Sequence, residues 1–390
     1  MTDRITRREL MRRGALGGAA VSLPSLLAAC GGGIKSSAQT TTAGAGAKKD
    51  RSLSSVFRFS NWPEYIDVDK DGNRPTLDQF EKKFNVKVKY IEDINDNDQY
   101  FGKIQGPLSH GQSIDRDLMV LTDSTAARVK DLGWLEPLDK SAIPNIVNLQ
   151  DALQHPDWDP NRDYSLPWQS GMTGIGYDPK RTGGPITSVD QVLTDKKLKG
   201  KVTLLTEMGD TVGIVMQAQG NDPAKVTPEA FDKAISAIQD AVDSGQVRQF
   251  TGNDYIQLLP KGDAWVSFSW SGDIVQLQAD NPNLRWNLPE TGGMIWTDNM
   301  LIPKKGDVYT ACTFMNYVYD PKVAAQIEDW VNYICPVKGA NEVLLKQDPG
   351  VAKNELIFPT DEMLGKVKIF DAKVSNDPDY KEKFQAVVGA

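Results

Sequence analysis

Three places in the chain set an aromatic ring two or three positions from a carboxylate. They are Trp62, Glu64 and Tyr65 in "NWPEY", Trp270 and Asp273 in "SWSGD", and Trp296 and Asp298 in "WTD". A desolvated ammonium group needs a carboxylate partner, and a ring face adds cation-π attraction of roughly 0.5 to 2 kcal/mol while covering methylenes. In an extended segment residues i and i+2 point to one side, so Trp296 and Asp298 are expected to present ring and charge to the same space. Each group is read as lying at the end of a strand-like run. A single such pair is better read as a core Trp with an incidental acidic neighbour; the recurrence points to recognition of an organic cation.

Other chemistries find less support. The chain contains no G-x-S-x-G elbow, phosphate-binding G-x-x-x-x-G-K-[ST] loop, H-E-x-x-H or C-x-x-C. Histidine occurs only at His110 and His155, each in a Gly- or Pro-flanked loop, and pairs among 52 acidic residues need not be catalytic. No catalytic residue is therefore assigned, and no enzyme or cofactor is expected. Asp67, Asp69, Asp71, Gly72, Asn73 and Asp78 fall at positions 1, 3, 5, 6, 7 and 12 of a calcium loop. The context opposes it: position 12 is the shorter Asp, position 8 is Arg74, and Pro63 stands where an entering helix would run. Asp67, Asp69 and Asp71 are kept as a weak calcium candidate, and "DKDGN" is read as a solvated turn before a helix that starts at Pro75.

The formal charge is −8, and the first 29 residues carry five Arg against Asp3 and Glu9, so the remainder is nearer −11. An acidic surface argues against nucleic acid as a partner. Residues 1–29 read as a basic, mildly apolar targeting leader broken by Gly17, Gly18, Ser22 and Pro24, too short for the roughly 20 apolar residues of a membrane span. "TRRELM", with Arg7 and Arg8, resembles a twin-arginine export signature, and a Sec leader with paired arginines reads equally well. "LAAC" resembles a lipoprotein box, so cleavage before Cys30 and a lipid on its sulfur are expected. Residues 30–52, rich in Gly, Ser, Thr and Ala, read as a tether. Cys312 and Cys335 are compatible with a disulfide or with two buried thiols.

The elements that must position these residues are those of an α/β protein. "SVFRF", "VKVKY", "DLMVL", "KVTLL", "WVSFSW" and "MLIP" read as strands alternating with amphipathic helices. The clearest helix has Thr227 as N-cap and Pro228 first, buries Phe231, Ala234, Ile235, Ile238, Ala241 and Val242 on one face, and ends at Gly245. Some 340 folded residues exceed one ordinary core. With no linker-like stretch between them, two interwoven lobes with a ligand cleft between are expected.

Over most of residues 57 to 340 the chain resembles the spermidine/putrescine-binding proteins of bacterial ABC importers. The resemblance rests, in order, on "FSNWPEY", "DRDLMVLT", "LGWLEPLDKSAIPN", "DYSLPW", "GIGYDP", "KVTLLTE", "SFSWSGD", "GGMIWTDNMLIP" and "DPKVAAQIEDWVNYICPVKGA". It implies a two-lobed α/β solute-binding fold of class II type that closes about hinge crossings. Lobe 1 would comprise residues 53–162 and 296–340, lobe 2 residues 163–295 and 341–390. It further implies that Trp62, Glu64 and Tyr65 line the cleft, that Trp270 and Trp296 are aromatic walls, and that Asp298 holds an amine. Where the family's spermidine binders carry Ser and Tyr after the third strand, this chain has Thr122 and Ser124. Where they carry two carboxylates after "LLT", Met208 and Thr211 align, with Glu207 and Asp210 each displaced by one. Thr122 is therefore expected among the ligand contacts, Ser124, Glu207 and Asp210 are further candidates, as is Asp273 from its pairing with Trp270, and Tyr333 falls out of register with a family tyrosine. The expected function is capture of a putrescine- or spermidine-like cation on the outer side of the membrane, by a lipid-anchored monomer, for an ABC permease. A guanidino compound, an amino sugar or a thiamine-like cation in the same fold is the nearer alternative, and an exported lipoprotein enzyme or sensor subunit the more distant.

Overall fold

The computed structural model describes residues 51–389. Cys30, the leader and residues 30–50 of the tether lie outside the described residues. The elements that matter for the site run as follows. The first part contains β1 (Val56–Asn61), α1 (Pro75–Phe84), β2 (Lys87–Glu92), α2 (Asn97–Ser109), β3 (Leu118–Thr122) and α3 (Asp123–Asp131). A long strand, β4 (Ser165–Tyr177), leads to β5 (Val202–Leu205), α4 (Met208–Ala218), α5 (Pro228–Asp243), β6 (Val247–Thr251), α6 (Tyr255–Lys261), β7 (Val266–Trp270), α7 (Ser271–Gln278) and β8 (Arg285–Asn287). A second long strand, β9 (Gly293–Leu301), returns to α8 (Val308–Val318) and α9 (Pro321–Val331), and the tail adds β10 (Val367–Lys368) and α10 (Pro378–Val388).

The ten strands of the described residues join one sheet, ordered β2-β1-β3-β9-β4-β7-β5-β6, with β8 on β4 and β10 on β9. The register divides it by chemistry. β1 lies parallel between β2 and β3, and β5 lies parallel between β6 and β7. Between these two parallel groups run β9 and β4, antiparallel to each other and to their neighbours β3 and β7. β4, "SLPWQSGMTGIGY", has no charged residue and is buried along its whole length, the composition expected of a strand covered on both faces. β9 likewise carries the chain from one parallel group to the other. It pairs with β3 through Asp298 to Leu301 and with β10 through Gly293 and Met294.

The expected helices form where their caps place them. Thr227 accepts from the Ala230 amide at the start of α5, Phe231, Ala234, Ile238 and Ala241 are buried, and Gly245 follows the end at φ 74°. The turn before α1 is held by Asp69, whose carboxylate accepts from the amides of Asp71 and Asn73. Asp67 faces the other way: its buried carboxylate accepts from the Thr76 amide and from Gln326 Nε2. Asp67, Asp69 and Asp71 thus do not converge, and among the described residues no group of His, Cys, Asp and Glu is placed to hold a metal ion. Cys312 and Cys335 are both buried and are not joined in a disulfide.

Candidate functional site

A parallel strand followed by a helix points its carboxyl end and the next helix's amino end at the same space, which is where open α/β sheets bind ligands. Here the carboxyl ends of four such strands meet. Trp62 and Tyr65 follow β1, Thr122 ends β3, Glu207 follows β5 and Trp270 ends β7, and all line one cleft of about 250 Å³. The helix amino ends that line it, of α2 after β2, α3 after β3, α4 after β5 and α7 after β7, each carry an acidic residue in the first turn: Asp98, Asp123, Asp210 and Asp273. A carboxylate in that position is favoured by the helix dipole, so the fold stabilises negative charge where the ligand must lie. The crossing strand β9 contributes Trp296 and Asp298.

The aromatic residues form a connected wall. Tyr65 meets Tyr333 edge-on at 5.2 Å, Tyr333 meets Trp296 at 5.6 Å, Trp296 meets Trp270 at 6.1 Å, and Trp270 meets Trp62 at 6.0 Å. Two glycines make this possible. A Cβ on Gly171, opposite Trp296 across the β4–β9 pair, would lie 2.4 Å from the Trp296 ring, and one on Gly272 would lie 2.4 Å from the Tyr333 ring. Trp296 and Asp298 face the cleft together, as alternation in a strand requires. They sit inside β9, however, and not at its end as expected, because pairing with both β3 and β4 extends the strand to Leu301.

Asp298 is, with Asp273, one of the two buried carboxylates of the cleft. It is 4% exposed, and its two oxygens accept from Tyr65 Oη at 2.9 Å and Thr122 Oγ1 at 2.7 Å. Burial pushes its pKa up to about 7 against those two hydrogen bonds, with Asp123 and Asp210 adding repulsion. Asp210 accepts from Trp270 Nε1 at 2.9 Å and Thr173 Oγ1 at 2.8 Å, and burial raises it to about 6. Glu207 accepts from the backbone and side-chain nitrogens of Asn97, both at 3.0 Å, and is held well above the usual carboxylate range by burial and by Asp96, Asp98 and Asp210. Asp273 accepts from Asn253 Nδ2, Tyr255 Oη and Tyr333 Oη. Carboxylates so clustered and desolvated without a cation are costly; an ammonium group would relieve both burial and repulsion.

Of the positions picked from the sequence, Trp62, Tyr65, Thr122, Ser124, Glu207, Asp210, Trp270, Asp273, Trp296 and Asp298 all line the cleft. Glu64 does not. It takes a left-handed conformation, φ 57°, which turns Tyr65 inward and leaves the Glu64 carbonyl accepting from Gln276 Nε2. Its carboxylate acts on Tyr90, outside the cleft. Glu207 and Asp210, displaced by one position in sequence, reach the cleft because α4 begins at Met208. Tyr333, out of register in sequence, enters it beside Asn332, whose left-handed backbone ends α9. Asn97, Asp123 and Trp158 line the cleft without having been picked, as do Phe370 and Lys381 from the tail. Asp123 was detectable in principle as the residue after Thr122; the tail carried no local signal. His110 and His155 are exposed and neither lines the cleft, although His155 adjoins Pro156, which does.

Comparison with known proteins agrees with this architecture. The putrescine-binding periplasmic protein PotF of Escherichia coli (strain K12) is 28% identical over 346 residues, covering 82% of this chain and 87% of its own. A spermidine/putrescine-binding periplasmic protein of the same organism is 24% identical over 309 residues, covering 78% and 84%. The solved structure of a putative spermidine/putrescine ABC transporter from Listeria monocytogenes superposes with a TM-score of 0.74 at 23% identity, over 86% of this chain and 98% of that one. Such a likeness shows a shared two-lobed fold. Residues 76–359 match the family described as "Bacterial extracellular solute-binding protein", and the chain belongs to that family.

Proposed function

We propose that the protein captures a polyamine outside the cytoplasmic membrane and delivers it to an ABC permease. The observation that carries this reading is the pairing of a five-ring aromatic wall with seven carboxylates in one cleft, against a single cationic side chain among the described lining residues. Asp298 would hold one ammonium at the crossing strands, and Asp210 and Glu207 a second across the cleft, while Trp62, Trp270 and Trp296 cover the methylenes between. The curated relatives named for putrescine and spermidine support the same ligand class. No bond is made or broken in this account; closure of the halves around the ligand is the event the permease reads. Division into lobes at residues 162/163, 295/296 and 340/341, a monomeric state, and anchoring through a lipid on Cys30 belong to the same proposal. The described residues contain no helix long and apolar enough to cross a membrane.

Calorimetric titration of the leaderless protein with putrescine, spermidine, spermine, agmatine and thiamine tests the reading. A polyamine should bind far more tightly than a Kd of about 1 mM, near −4 kcal/mol. Binding of agmatine or thiamine alone would transfer the site to another cation, and no binding by any of them would leave only the family.

A further inference from the structure

The tail after Thr360 belongs to the cleft as much as the strands do. It is fixed to the crossing strand and to the second parallel group: β10 pairs with β9, Tyr380 meets Phe231 of α5 edge-on at 4.6 Å, Phe384 meets Phe250 of β6 at 6.1 Å, and Lys383 pairs with Asp232. From that base it reaches the first group twice. Asn376 Nδ2 donates to the Ser124 carbonyl at 2.9 Å, and the Lys381 ammonium forms an ion pair with Asp98 at the start of α2. Lys381 lines the same cleft as Asp298 and is the only cationic side chain among the described residues that do.

Four of the seven carboxylates in that cleft form a row. Asp298, on the crossing strand, feels Asp123 beside it and Asp210 along the row; Glu207 feels both Asp98 and Asp210. Exposure rises along it, from buried Asp298 through half-buried Asp210 and Glu207 to exposed Asp98. The row therefore runs from the crossing strands to the mouth, and Lys381 stands at its outer end.

We propose that Lys381 is a specificity-determining residue: it places a built-in ammonium on Asp98, so that a diamine is accommodated along the inner row while a triamine or tetramine must bring a further ammonium against it. This rests on the polyamine reading of the site. A bound chain with two ammonium groups satisfies Asp298 and the Asp210/Glu207 pair and stops short of Asp98. A longer chain meets repulsion from Lys381 in place of attraction from a free carboxylate. The pair is partly exposed, with side chains 20% and 44% accessible, so screening limits the effect to about fivefold in affinity.

The test compares Lys381→Met, which keeps the unbranched apolar stem and removes the charge, with Lys381→Arg, which keeps the charge. Putrescine, spermidine and spermine are titrated into each variant and into the wild-type protein at low and high salt. Lys381→Met should raise the preference for spermidine and spermine over putrescine by about fivefold at low salt, less at high salt, and Lys381→Arg should restore the wild-type preference. An unchanged preference in Lys381→Met, or an equal change in both variants, overturns the proposal while the polyamine reading stands. Failure of the wild-type protein to bind any of the three amines sinks that reading and the proposal with it.

Discussion

Asp298→Asn isolates one buried charge of the site with almost no change of shape. Tyr65 Oη and Thr122 Oγ1 donate to the two oxygens of the carboxylate, and an amide can still accept one of these bonds. A hydrogen bond to a charged group is worth about 1.5 to 3 kcal/mol, so loss of the ammonium–carboxylate pair should weaken putrescine binding by about 10- to 100-fold near pH 8. The pH dependence is the sharper discriminator. With its pKa raised to about 7, Asp298 is about nine-tenths ionised at pH 8 and about 3% ionised at pH 5.5. An ammonium ligand, which keeps its proton throughout because amines of this kind titrate near 10, binds the ionised form. Wild-type affinity must therefore fall as pH drops through about 7, by about 30-fold from this residue alone. Asp123, Glu207 and Asp210, which are also raised, contribute in both proteins, Asp123 and Asp210 less in the variant because Asp298 no longer repels them. Calorimetry of both proteins over this range should show a pH sensitivity about 30-fold smaller in Asp298→Asn, with its affinity defect shrinking to a few-fold at the acid end. Parallel pH profiles for the two proteins would refute the assignment of the ammonium to Asp298.

The same raised pKa makes ionised Asp298 a burden on the empty protein, complete above about pH 7 and absent below the ordinary carboxylate range. Ligand-free Asp298→Asn should therefore melt roughly 2 °C or more above wild type at pH 8, a margin that vanishes near pH 4; a lower melting point at pH 8 would contradict this. Trp270→Leu removes both a wall and the indole N–H that helps keep Asp210 ionised, so putrescine affinity should fall about tenfold and the Asp210-dependent limb should move to higher pH. An unmoved limb would show that the indole bond does not tune Asp210. Gly272→Ala drives a methyl into the Tyr333 ring and should weaken binding by about tenfold, whereas Gly102→Ala, with open space around its Cβ, should not. Equal behaviour of the two variants in a fluorescence titration would count against Tyr333 as a wall.

Local signals made the strands and the α5 helix readable, because caps, alternation and helical period act within a few residues. They also made most of the cleft readable, since its rings and carboxylates, Trp296 and Asp298 inside β9 excepted, cluster at strand ends and helix starts that the pattern itself marks. What escaped was decided by backbone direction or by distant packing. Glu64 sits between two residues that enter the cleft, yet one left-handed φ turns it away. Tyr333 enters only because Ser170 and Ile334 bridge β4 to the segment after α9. Lys381 lies far along the chain from Asp98 and reaches it because Tyr380 and Phe384 dock α10 on α5 and β6. Asp67 had calcium-loop spacing, but its partners Thr76 and Gln326 belong to packing against α1 and α9.

A crystal structure of the leaderless protein grown with putrescine tests the central claim most directly. One ammonium nitrogen should lie about 2.7 to 3.1 Å from an Asp298 oxygen, with the tetramethylene chain against Trp270 and Trp296 and the second nitrogen at Asp210 or Glu207. Putrescine bound away from Asp298, or a cleft left empty at a saturating concentration, would contradict it.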